Sequence, residues 1–170
     1  MKCINRNRII TFALLVFWMS LIFYMSAQPA YESSQISGGI VSKLIAAFFS
    51  KFDSLSLTQQ ENLTQILTVI VRKTAHFLEY FILAVLTVFF VQTYKNYKLK
   101  SEMIFTFVFC VFYAITDEVH QYFVPGRACR ILDVCIDTAG SAVAVFLMIL
   151  IIICKKRHKS GEHSEKKEVN

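Results

Sequence analysis

The chain has 170 residues, of which 55% are hydrophobic, with 16 Phe, 7 Tyr and only 2 Pro, and its mean hydropathy is +0.51. Soluble domains of this size are usually less than half apolar, so an ordinary soluble globule is excluded and one membrane-embedded bundle is expected. The net charge of +6 gathers at the flanks of apolar runs, which is a pattern of membrane orientation and implies no nucleic-acid partner.

The first apolar run covers residues 9–25 and follows Lys2, Arg6 and Arg8. A basic start followed by apolar residues also describes a signal peptide. This run exceeds the usual ~7–15 residues of such a segment, however. Met25 also stands where a small residue would precede a cut after Ala27, so an uncleaved anchor is expected.

Residues 26–71 are too many for a simple loop. Ile36, Ile40, Val41, Leu44, Ile45, Phe48, Phe49 and Phe52 recur at helical spacing, with Ser37, Lys43, Ser50 and Lys51 on the other side. This predicts an amphipathic helix that lies on the outer membrane surface or packs on the bundle. Thr58 and Glu61 have capping-box spacing and predict a second helix from Thr58. Its stripe of Leu63, Ile66, Leu67, Ile70 and Val71 leads through Arg72 into the next span.

A helix needs ~20 residues to cross the hydrocarbon. Residues 74–93, 103–121 and 131–154 supply the second, third and fourth spans. The third reaches full length only by continuing past Ala114 through Asp117. Lys95, Lys98 and Lys100, then Lys155, Lys156, Arg157 and Lys159, fall on the same side as the N-terminal cations. That side is therefore expected to be cytoplasmic, with both termini inside. The fold class is all-α: four transmembrane helices in a domain over residues 9–154, with extracellular amphipathic helix between the first two. Residues 1–8 form the cytoplasmic N-terminus, and the charged tail 155–170 is expected to be disordered.

The 5 Cys form no disulfide framework and no zinc motif, and no cofactor is implied. Cys110 and Cys154 lie in apolar runs, Cys3 is on the cytoplasmic side, and a Cys129–Cys135 disulfide is left open.

Charges written into membrane-like sequence are expensive unless paired or functional. Arg72, His76, Glu79 and Tyr80 share one helix face, with Lys73 beside them. Asp117, His120 and Gln121 share another, with Glu118 adjacent. Pro125 and Gly126 then break the helix and fix Arg127 beside the turn. Asp133 and Asp137 are four apart at the start of the fourth helix, followed by Gly140 and Ser141, whose small size permits close helix approach. All these groups fall at the outer end.

Arg72, Lys73, Arg127 and Arg130 against Glu79, Asp117, Glu118, Asp133 and Asp137 make a nearly neutral set. Two readings stay open: an interhelical salt-bridge network, or a binding or catalytic site. In the second, Arg72 and Arg127 would suit a phosphate or carboxylate. His76, Glu79 and Asp117 are then the candidates for general acid–base work, if a reaction is catalysed. His76, Glu79, Asp117 and His120 lack the spacing of a strong metal motif. A small transporter is disfavoured, because the inner halves of the spans carry no ionisable groups near the midplane.

The run Arg72-Lys73-x-x-His76-x-x-Glu79-Tyr80, then Asp117-Glu118-x-x-Gln121, Pro125-Gly126-Arg127 and Asp133-Val134-x-x-Asp137-x-x-Gly140 together resemble the VanZ-like family, as does Ser26-x-Gln28-Pro29. The resemblance covers roughly residues 9–153. It implies a multi-pass protein of the bacterial cytoplasmic membrane. It further implies a role in the cell envelope and in low-level resistance to lipid-tailed glycopeptides such as teicoplanin. The partners it suggests beyond the bilayer are an anionic envelope lipid, a cell-wall precursor or a glycopeptide. It assigns no catalytic roles. The alternative is a non-catalytic protein whose charge cluster only holds the bundle together. One departure is visible: the family often has a small residue two positions after the turn arginine, where this chain has Cys129 and then Arg130.

Overall fold

A computed structural model describes residues 6–50, 52–94 and 98–168, with side chains described through Arg157. Lys2, Cys3, Lys51, Lys95 and the tail side chains from His158 onward lie outside this description. The described residues form five α-helices and no strand. They are α1 (Arg6–Ser26), α2 (Ala30–Phe48), α3 (Leu57–Val91), α4 (Leu99–Tyr122) and α5 (Ile131–Glu168). A short 3-10 turn at Phe52–Ser54 joins α2 to α3.

Four helices are long and apolar enough to cross a membrane: α1, α3, α4 and the part of α5 over Ile131–Arg157. Their outward faces carry large apolar side chains, including Phe17 and Phe112, each 64% exposed, and Phe146 at 60%. In water such a surface would aggregate; in lipid it is the solvated surface. The chain is a multi-pass membrane protein.

α3 is the spine, touching α1, α2, α4 and α5. Its 35 residues would extend about 52 Å at 1.5 Å per residue, against the ~30 Å of the hydrocarbon. The helix therefore projects from the bundle by its N-terminal third, and α2 leans on α3. The N-terminus of α3 is a capping box, but Ser56 and Gln59 form it rather than Thr58 and Glu61. The Gln60 side chain donates to the Phe52 and Leu55 carbonyls, which fixes the preceding 3-10 turn and sets the start two residues early.

α2 also differs from expectation. It ends at Phe48 instead of reaching Phe52. Its buried side chains are Ser37 and Val41, with Leu44 and Ile45 partly covered, while Ile36, Ile40 and Phe48 stay exposed. The apolar stripe is thus split between α3 and the surroundings. Further along, α5 extends to Glu168.

The core runs down the bundle through Ile22, Leu83, Ala84, Val88, Cys110, Ala114, Ala144 and Met148. The tightest contact is between α3 and α5. A Cβ built on Gly140 would come 2.2 Å from the Phe77 carbonyl oxygen, so only glycine allows this approach. At the end opposite the charge layer, Arg8 donates to the Thr93 carbonyl at 3.2 Å and lies 3.9 Å over the Tyr94 ring.

Candidate functional site

The helix order brings three sequence clusters together at one end of the bundle. The start of α5 meets Arg72–Tyr80 of α3, and the end of α4 meets the end of α1. The electrostatic neighbours of Asp137 are His76, Asp117, Glu118 and Glu79, which come from two other helices.

One half of the resulting layer is fully bonded. Asp117 Oδ2 accepts from Ser26 Oγ at 2.8 Å and from Gln121 Nε2 at 2.9 Å. Gln121 Oε1 in turn accepts from Arg127 Nη1 at 3.1 Å. The other Arg127 donors go to backbone: Nε to the Gln28 carbonyl at 2.8 Å and Nη2 to the Met25 carbonyl at 3.3 Å. A helix C-terminus leaves such carbonyls without intrahelical partners and prefers a cation beside it. Arg127 therefore clips the α1–α2 elbow to the α4–α5 elbow. Burial, together with Arg72 nearby, pushes its guanidinium below the ordinary value, while Asp117, Glu118 and Glu79 pull the other way. The Pro125 carbonyl completes the joint by accepting the Ala30 N–H at 3.3 Å.

Two carboxylates secure the start of α5. Glu118 accepts the Arg130 N–H at 2.9 Å, where the helix dipole favours an anion. Asp133 pairs with Lys73 at 2.6 Å on the half-exposed rim. Asp117, Glu118 and Gln121 are the buried polar residues at the C-terminal end of α4. His120, placed on the Asp117 face by sequence, lies with its ring 4.1 Å from that of Phe23 on α1, the helix whose Ser26 also bonds Asp117. Among the described residues no set of three or more His, Cys, Asp or Glu is arranged to hold a metal. Cys129 and Cys135 are both free and exposed.

The other half of the layer is unsatisfied. Both Asp137 oxygens, Asp117 Oδ1 and the Tyr80 hydroxyl are buried without a hydrogen-bond partner among the described residues. Asp137 is 1% exposed and Tyr80 0%. His76 Nδ1 and Glu79 Oε2 stand 3.3 Å apart, at ion-pair distance but without hydrogen-bond geometry. Tyr80 lies within electrostatic reach of Asp117, Asp137 and Glu79.

Three supporting residues were not among those predicted. Trp18 donates its indole N–H to the Glu79 carbonyl at 2.9 Å. Tyr113 donates its hydroxyl to the Met19 carbonyl at 2.6 Å. Ser26 holds Asp117. A lone Trp in an apolar span, whose N–H needs an acceptor, was the available signal for the first of these.

A family model described as VanZ/LLP1 matches residues 11–153. The chain matches no curated protein and no solved structure.

Proposed function

The chain belongs to the VanZ/LLP1 family, and on that premise we propose that its polar layer binds a component of the bacterial envelope at the outer face of the cytoplasmic membrane. Occupancy of that layer is the basis of a low-level resistance to lipid-tailed glycopeptides such as teicoplanin. The orientation rests on the cations at the opposite end, among them Arg8, Lys98, Lys100, Lys155 and Lys156. The exposed Tyr31, Ile36, Ile40 and Phe48 of α2 would rest in the same outer interface.

The observation that carries the binding reading is the unsatisfied half of the layer. A network selected only to lock helices together would pair its own buried carboxylates, because an unpartnered charge in a low-dielectric setting costs several kcal/mol. Asp137 has no hydrogen-bond partner for either oxygen among the described residues. The locking role has its own support in the Ser26–Asp117–Gln121–Arg127 chain. The two roles therefore divide the layer, with Arg127 and Gln121 holding the elbows and Asp137, Tyr80, Glu79 and His76 facing the ligand. If a reaction is catalysed, His76 and Glu79 are the proton-transfer pair, since they sit at the partly exposed mouth.

The test is glycopeptide susceptibility of a sensitive bacterium producing the wild-type chain or Asp137→Asn at equal abundance. The binding reading expects Asp137→Asn to lose protection. Undiminished protection by that variant would sink it.

A further inference from the structure

We propose that the unsatisfied half of this layer accepts a protonated amine, so that the ligand brings ammonium N–H donors to Asp137, Asp117 and Tyr80. The proposal rests on the binding reading above and names the chemical class of what is bound. It reverses the anion-clamp role that two arginines suggest in the sequence.

The argument is a census of donors and acceptors. Three strong donors of the layer are committed, and Arg72 stands near Arg127 and not among the electrostatic neighbours of Asp137. Arg127 donates from three nitrogens to Gln121, Gln28 and Met25. Lys73 is bound to Asp133 and Gln121 Nε2 to Asp117. Buried and unbonded among the described residues are four acceptors, both Asp137 oxygens, Asp117 Oδ1 and Glu79 Oε2, beside His76 Nδ1, His120 Nδ1 and the Tyr80 hydroxyl. A phosphate or carboxylate placed against these four oxygens would meet like charge from Asp137, Asp117 and Glu79. An ammonium would supply three donors and the missing countercharge.

Tyr80 gives a second, independent indication. Its hydroxyl is not part of the acidic set, is fully buried, and lacks a partner among the described residues. It lies within electrostatic reach of Asp117, Asp137 and Glu79. The Tyr80 and Tyr113 rings are 6.2 Å apart. Aromatic rings beside carboxylates are suited to a cation. The way in passes His76 and Glu79, whose side chains are 19% and 22% exposed, above the buried Tyr80 and Asp137.

Trp18 is the single Trp of the chain, and its indole N–H bonds the Glu79 carbonyl, so its emission reports on this site. The experiment titrates the full chain, in nanodiscs of phosphatidylglycerol, with ethanolamine and with inorganic phosphate at matched ionic strength. Ethanolamine should change Trp18 emission saturably and phosphate should not. Asp137→Asn should weaken the ethanolamine response about tenfold or more, the worth of a hydrogen bond to a charged group. Tyr80→Phe, which preserves the packing, should also weaken it and serves if Asp137→Asn does not fold. Nanodiscs with phosphatidylethanolamine separate two sources of the amine. Saturation by the lipid itself identifies a membrane headgroup, and an unchanged titration identifies an amine arriving from water.

A saturable phosphate response without an amine response overturns the proposal, and so does an amine response that both variants leave intact. If the amine response fails while Asp137→Asn still abolishes protection, only the ligand class falls and the binding reading stands.

Discussion

Gly140 of α5 lies against the carbonyl of Phe77 on α3, so close that a Cβ would come 2.2 Å from the oxygen. This contact places the polar layer. α3 and α5 run in the same direction, and Asp137 lies one turn before Gly140, so closing the backbones here sets its carboxyl at the level of His76, its electrostatic neighbour. Ser141 reinforces the approach by donating to the Tyr80 carbonyl at 3.4 Å.

Gly140→Ala should therefore be among the most damaging single-methyl changes in the chain. The clash is with backbone, so the helices must part. Overpacking of this kind costs about 1–3 kcal/mol. Thermal unfolding in detergent should show a lower midpoint, and the emission of Trp18 should shift as α3 moves.

Gly126 and Gly38 make a contrasting pair. Gly126 holds φ at +75°, and its Cβ would stand 3.2 Å from that of Ala30, so Gly126→Ala should cost about 1–2 kcal/mol. Gly38 sits inside α2 with nothing within 4 Å of its added Cβ. Gly38→Ala should be neutral or stabilise by up to about 1 kcal/mol. Midpoints measured side by side would check both signs.

Arg127→Lys should behave almost like Arg127→Ala. A single ammonium on a flexible stem cannot reach Gln28, Met25 and Gln121 together as the guanidinium fork does. Each variant should lose about 2–3 kcal/mol. Limited proteolysis should find the α1–α2 elbow more readily cut in both.

The spans were legible because apolar length is a direct signal: α1, α4 and α5 contain the predicted runs, and α3 covers the second except its last two residues, ending at Val91. Convergence of Arg72–Tyr80, Asp117–Gln121 and Asp133–Asp137 followed from their shared end of the bundle. What the sequence hid were the partners that carry no charge. Ser26 enters the sequence reading only through the Ser26-x-Gln28-Pro29 resemblance, which gives it no partner, whereas its hydroxyl bonds Asp117. Arg127 could be matched to carboxylates by type, yet two of its three acceptors are backbone carbonyls, which every residue has. Glu118 was set beside the functional face because a single helix face was assumed. α4 contacts α1 and α5 as well as α3, so Asp117 and Gln121 bond toward α1 while Glu118 bonds toward α5.

The most direct test of the divided layer is the unfolding midpoint of Asp137→Asn, measured in detergent beside the wild type. An unpartnered buried carboxylate destabilises the fold that contains it, as functional sites commonly do. The account predicts a gain on the order of 1 kcal/mol, or roughly 2–4 °C at this chain length, together with lost protection against teicoplanin. A midpoint that falls, with protection lost only in step with abundance, would contradict the account and leave the layer as a structural lock.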